Sequence, residues 1–180
     1  MFDPTIFENM KVALESAVYD QDFAGEIAVI SRSDRVELSS MSREYSIGYV
    51  DRKRGKGPEI TALLTLSAGA EDLAGEILEI KETAQRRFGC VLHVTLLLDI
   101  DNVERCRDIE EIVGSVWLYR PRIVQELSFT YSTGREGEHQ GYRNTITLHF
   151  DRKINEDNID DLFGIIEYTL HSLRALAAAE

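Results

Sequence analysis

Two aspartates one residue apart, Asp99 and Asp101, close an apolar run that starts at Val91. On an extended strand, residues two apart point to the same side. The pair therefore places two carboxylates together at the carboxyl end of Leu96-Leu97-Leu98, where α/β proteins commonly bind ligands. Two such oxygen donors suit a hard cation such as Mg²⁺. A second concentration of charge is Arg52-Lys53-Arg54-Gly55-Lys56-Gly57, cation-rich in a chain whose formal net charge is −12. Glycines there let backbone N–H groups approach an anion. Arg52, Lys53, Arg54 and Lys56 are thus candidate ligands for a phosphate-containing small molecule. The spacing is not that of a P-loop. A solvated hairpin tip that blunts a sheet edge with charge accounts for the same residues. So does contact with an acidic partner, including the acidic last helix of a second copy.

The segment Asp99-Ile100-Asp101-Asn102-Val103 resembles the D-x-D-x-(T/V) opening of the haloacid-dehalogenase phosphatases. That resemblance implies a metal-dependent phosphatase-like hydrolase, with Asp99 as nucleophile and Asp101 as general acid, and Mg²⁺ as its cofactor. The family also needs a later Ser or Thr, a Lys and an acidic metal pair on parallel strands. Here Lys153 is the one lysine after Asp101, and the chain returns as an antiparallel hairpin. The competing reading is local: Asp101 caps the following helix, and Glu104 completes a capping box.

Cysteine and histidine patterns give less. Cys90-x-x-His93 has metal-ligand spacing, but residues three apart on a strand face opposite ways. A zinc site would need two further ligands. Cys106 falls on the apolar stripe of a helix and reads as packing. His139 lies in a charged loop, His149 on a polar strand face and His171 on the last helix. No local spacing pairs a nucleophile with a base, so the sequence assigns no catalytic residue.

These groups must be positioned by a pattern that occurs twice. A strand, a charged loop and a second strand run into an amphipathic helix, once over residues 44–88 and again over 126–174. Asp3 and Pro4 open a first helix that ends near Tyr19. Ile27–Ser31 and Arg35–Ser39 read as two short strands joined by a turn at Ser33-Asp34. Glu71–Phe88 reads as a helix closed by Gly89. Cys90–Leu98, apolar on both faces apart from His93 and Thr95, reads as a central strand covered on both sides. The stretch from Ile60 to Leu98 is long enough for a parallel crossover. A helix follows from Asn102 to about Tyr119, stopped by Arg120-Pro121. Ile123–Ser132 and Tyr142–Phe150 form the second hairpin. Asn155 caps the last helix, whose first turn is rich in acid.

One face of the hairpin strands is Ser/Thr-rich: Ser46, Gly48, Thr61, Ser128, Thr130, Thr145, Thr147 and His149. The other, with Tyr45, Ile47, Tyr49, Leu127, Phe129 and Tyr131, should lie under the helices. The polar face can be ordinary wet β surface, a ligand groove or a sheet-to-sheet dimer contact.

The expected fold is α+β: a mostly antiparallel sheet of about six strands in one domain, with helices mainly on one face. Composition narrows the function. An excess of acid argues against a nucleic-acid surface and against affinity for anionic membrane. The N-terminus lacks the pattern of a signal peptide, and two cysteines are too few for a disulfide framework. The expectation is a cytoplasmic binding module without a cofactor, acting as a homodimer or with a protein partner.

Overall fold

Thr61–Ala68 and Val91–Ile100 alternate between buried and partly exposed residues along their length. That period places every second side chain in one core. The computed structural model describes residues 5–54, 59–81, 83, 87–131 and 141–179. The order is α1 (Thr5–Phe23), β1 (Ile27–Glu37), β2 (Ser42–Asp51), β3 (Thr61–Ala68), α2 (Ala70–Ile77), β4 (Val91–Ile100), α3 (Arg105–Val116), β5 (Arg122–Ser128), β6 (Tyr142–His149) and α4 (Ile159–Ala178). The strands form one six-stranded sheet in the order β1-β2-β3-β4-β6-β5. Every pairing is antiparallel. The fold is α+β, as the alternating segments imply. Among the described residues, no helix is long and apolar enough to cross a membrane.

All four helices lie on one face of this sheet. Their buried residues, among them Leu14, Leu73, Val113 and Leu170, join Tyr45, Ile47, Tyr49, Leu64, Leu66, Val94, Leu96, Ile146 and Leu148 in a single cluster. Trp117 of the α3 terminus is fixed by its indole N–H, which donates to Ser172 Oγ of α4 at 3.0 Å. Arg174 of α4 anchors the other flank. It donates to Asp51 at 3.1 Å and to Glu26 at 2.8 Å, joining the last helix to the ends of β1 and β2. Asp51 is buried, and removing its partner would strand a charge in a dry site.

Several local expectations change. There is no parallel crossover: β3 and β4 are antiparallel neighbours. Helix α2 has 8 residues rather than the length of a strand, so it cannot carry the chain back along the sheet. It stops early because Glu79 adopts a left-handed φ of 48°. Glu79 N–H then bonds Glu76 O and Ile80 N–H bonds Gly75 O, the paired closure of a Schellman motif. Helix α3 ends the same way before Arg120-Pro121, with Leu118 at φ 54°.

Residues 27–37 form one strand rather than two short ones. The turn expected at Ser33-Asp34 is absent, and Asp34 faces α1 together with Arg32. Arg32 pairs with Glu15 at 2.9 Å, and Lys11 reaches Asp34 at 2.9 Å. The first helix runs four residues past Tyr19, to Phe23. Asp3 and Pro4 fall outside the described residues. Phe129 and Tyr131 are exposed rather than covered, because β5 ends at Ser128. The β2–β3 and β5–β6 hairpins are each followed by a helix, but α2 has 8 residues and α4 has 20. Asn155 does cap, accepting from Asp157 N–H at 3.1 Å at the head of a 3₁₀ turn that leads into α4.

Helix α1 is locked to the first hairpin by a charge network. Glu8 takes ion pairs from Lys11 and Arg43, and Asp34 takes the same two cations. Partial burial alone would raise the Glu8 and Asp34 pKa values. Hydrogen bonds from the cations outweigh it and hold both below their ordinary values. A depressed folded pKa gives stability that is present above the unfolded value and lost as pH falls through the folded one. The melting temperature should therefore drop as pH falls below about 4. Glu8→Gln should lower it at neutral pH, by about 1 kcal/mol of stability, and flatten that acid limb. Thermal melts from pH 3 to 7 check both.

Candidate functional site

The sheet face away from the helices has no covering layer, and the register shows what lies on it. A central row crosses all six strands as Ser31, Gly48, Leu63, Thr95, Thr147 and Val124. To one side runs Ser33, Ser46, Thr65, His93, His149 and Arg122. To the other runs Ala28, Val50, Thr61, Leu97, Thr145 and Glu126. Outer positions add Arg35, Glu44, Ser67 and Val91 at one end and Asp99, Arg143 and Ser128 at the other.

Few of the strand residues here are fully exposed. Val50, Leu63, Val91, Leu97 and Val124 are half-buried by their neighbours, yet none belongs to the core cluster. Gly48 keeps this surface flat: a Cβ there would collide with the Ser31 hydroxyl. The histidines of β4 and β6 meet edge to face, with ring centroids 4.8 Å apart. Burial lowers the His93 pKa, and the neighbouring charges of His149 and Arg122 lower it further. The imidazole is therefore neutral at pH 7.

The face is charge-balanced although the chain is acidic. It holds the arginines 35, 122 and 143 and the carboxylates 44, 99 and 126. Arg35 pairs with Glu44, and Arg143 reaches Asp99 at 3.2 Å. Arg122 and Glu126, four positions apart on β5, have no ion-pair partner among the described residues.

The D-x-D segment is dispersed by the fold. Asp99 is on the open face, highly exposed and held by Arg143, while Asp101 lies beyond the end of β4. Among the described residues, no three His, Cys, Asp or Glu side chains gather as metal ligands. Asp101 is not the cap. Glu104 precedes the helix and makes no side-chain capping bond, while Asn102 Oδ1, just upstream, accepts from the Arg105 N–H at 3.2 Å.

The basic segment is largely neutralised from within. Arg52 pairs with Asp22 at 2.8 Å, Lys53 with Glu26, and Arg54 with Glu59 at 2.8 Å. Lys56 falls outside the described residues. Cys90 is in the core and its thiol is pushed up to about 12, chiefly by burial and then by the charges of Asp72 and Glu76. His93, three residues on, is on the opposite face, as strand geometry requires. Cys106 packs beside Gln125, whose amide donates to the Cys106 carbonyl at 2.8 Å.

A cleft of about 640 Å³ lies at the end of α3, over Trp117, Phe150 and Tyr168. Its rim is closed by the Arg152–Asp161 ion pair at 2.7 Å. The Trp117 indole N–H in its floor is already satisfied by Ser172.

The chain matches no family model, no curated protein and no solved structure. The site must therefore be judged on its own chemistry. The open face as a whole is broad and mixed in polarity. Of its Ser and Thr residues, sequence reading found Ser46, Thr61, Ser128, Thr145 and Thr147 but not Ser31, Ser33, Thr65, Ser67 or Thr95. It missed the His93–His149 contact and the Arg122/Glu126 pair, since register alone brings residues of three strands into one row.

The capping assignment gives a direct test. Asn102→Ala should cost about 1 kcal/mol of stability, and Asp101→Ala less than about half that. Urea unfolding of both variants measures the difference.

Proposed function

We propose that this chain is a non-catalytic binding module that self-associates, and that the open face of the sheet is its contact surface. The observation that carries this reading is the uncovered face itself. Its aliphatic side chains, Leu63 and Leu97 at the centre with Val50, Val91 and Val124, sit mainly among Ser and Thr, and its six charged residues lie on the edge strands or in the outermost rows. A solvated sheet face commonly alternates with charge, whereas sheets that pack together present such uncharged residues. Six strands about 4.8 Å apart and some eight residues long offer roughly 750 Å² of plane, near the 800 Å² per partner of a stable interface. The balance of charge on this face keeps the chain's acidic excess, a net charge of −12, away from the contact itself.

The other functions that the sequence raised draw less support. A phosphate ligand at Arg52, Lys53 and Arg54 would have to displace three intramolecular carboxylates. A hydrolase at Asp99 and Asp101 would need further ligands close by.

Sedimentation velocity tests the proposal. At tens of micromolar the protein should run as a dimer, and Leu63→Lys should run as a monomer with an unchanged far-ultraviolet circular dichroism spectrum. Leu63 makes no part of the core, so the substitution spares the fold. A wild-type monomer across that range, or a dimeric Leu63→Lys, would sink the proposal.

A further inference from the structure

Two charges of the open face, Arg122 and Glu126, have no ion-pair partner among the described residues, and the inference drawn from them rests on the self-association just proposed. The geometry points to a second copy related by a two-fold axis that runs across the strands along the central row, with Arg122 of each copy paired to Glu126 of the other.

On β5, Arg122, Val124 and Glu126 share the open face, with Val124 on the central row and the two charges equally far to either side. Arg122 and Glu126 stand roughly 13 Å apart along the strand, and no ion pair joins them. The face's other charges are already answered, Arg35 by Glu44 and Arg143 by Asp99. Burying this face against another surface would leave Arg122 and Glu126 desolvated without partners unless that surface supplies them.

A two-fold operation about the central row supplies both at once. It exchanges the row of Arg122 with the row of Glu126, strand by strand, while the central residues meet their own equivalents. The interface is isologous: residue i meets j, and j meets i. Thr65 faces Thr61 of the second copy, and Leu63 and Thr147 face themselves. His93 faces Leu97 of the second copy, a contact that a neutral imidazole tolerates. Strands of the two sheets then run nearly collinear, the aligned packing that twisted sheets prefer. The other in-plane axis, along the strands, would set Arg122 over Ser33 and Glu126 over Ala28, leaving both charges unanswered.

Charge reversal separates these cases. R122E alone places two carboxylates together at each of two symmetric contacts, and E126R alone does the same with two guanidinium groups. Each variant should dimerise about tenfold more weakly than wild type at low salt. An equimolar mixture of R122E and E126R should form the heterodimer, because both contacts are then Glu–Arg. The double variant R122E/E126R should regain wild-type affinity within about threefold. Both positions are exposed strand sites, and circular dichroism confirms that each variant is folded. Native mass spectrometry of the mixture, with one variant isotopically labelled, reads the heterodimer directly. If Leu63→Lys dissociates the dimer but the mixture shows no preference for the heterodimer, this symmetry is wrong and the face remains the interface. If Leu63→Lys stays dimeric, the self-association reading of the face fails, and this one with it.

Discussion

Successive side chains of a strand leave on opposite faces, and every helix among the described residues sits on the same one. From that asymmetry the rest follows. Tyr45, Ile47, Leu64, Val94, Leu96 and Ile146 are committed to a core shared with α1, α2, α3 and α4. Gly48, Leu63, Thr95 and Thr147 are committed to the other side. A one-residue slip in any central pairing would exchange the two sets, so the hydrophobic pattern fixes the register and the register composes the open face. The core and the candidate interface are two readings of one alternation.

The helices are held at their margins by charge rather than by more hydrocarbon. Lys11 and Arg43 bridge α1 to β1 and β2, and Arg174 bridges α4 to Glu26 and Asp51. On the α2 side, Lys153 pairs with Asp72, which also accepts from the Gly89 N–H at 3.3 Å. Arg52, Lys53 and Arg54, conspicuous in the sequence, are likewise spent on internal pairs, with Asp22, Glu26 and Glu59. A cluster of like charges in a sequence says nothing about what the fold will set opposite it.

How much could be read in advance follows from the range of each interaction. Strand alternation, the Asn155 cap and the opposed faces of Cys90 and His93 depend on neighbours within a few residues, and these were legible. The continuity of β1 was not, because Arg32 and Asp34 are stabilised in a strand by Glu15 and Lys11 of α1. The early stop of α2 was hidden because a glutamate, Glu79, takes the left-handed position that glycine usually marks. Asp101 read as the cap, but the helix starts at Arg105 and it is Asn102 that accepts from the first helical N–H, a boundary shift that helix propensity cannot resolve. The His93–His149 contact joins residues from different thirds of the chain and needs the β4–β6 pairing to exist at all. The strand Cys90–Leu98 read as covered on both faces. Within one copy it is covered on one, and the residue types that prompted the reading, Val91 and Leu97, are those left on the open side.

That mismatch bears on why association should occur face to face and not edge to edge. Strand β1 carries Arg32, Asp34, Arg35 and Glu37 along an outer edge broken by a bulge at Ile30, where the register passes from Val29 to Ser31. Charge and irregularity of this kind obstruct the addition of a further strand. The opposite edge, β5, is short, with 7 residues, and carries Arg122 and Glu126. The broad face between these edges has the contrary character: regular, neutral in sum and furnished with short side chains that lose little entropy on burial. Serine and threonine also keep such a surface soluble while it is uncovered, since each hydroxyl can hydrogen-bond to water in one state and across an interface in the other. A sheet built this way can tolerate an exposed face in the monomer and still gain from covering it.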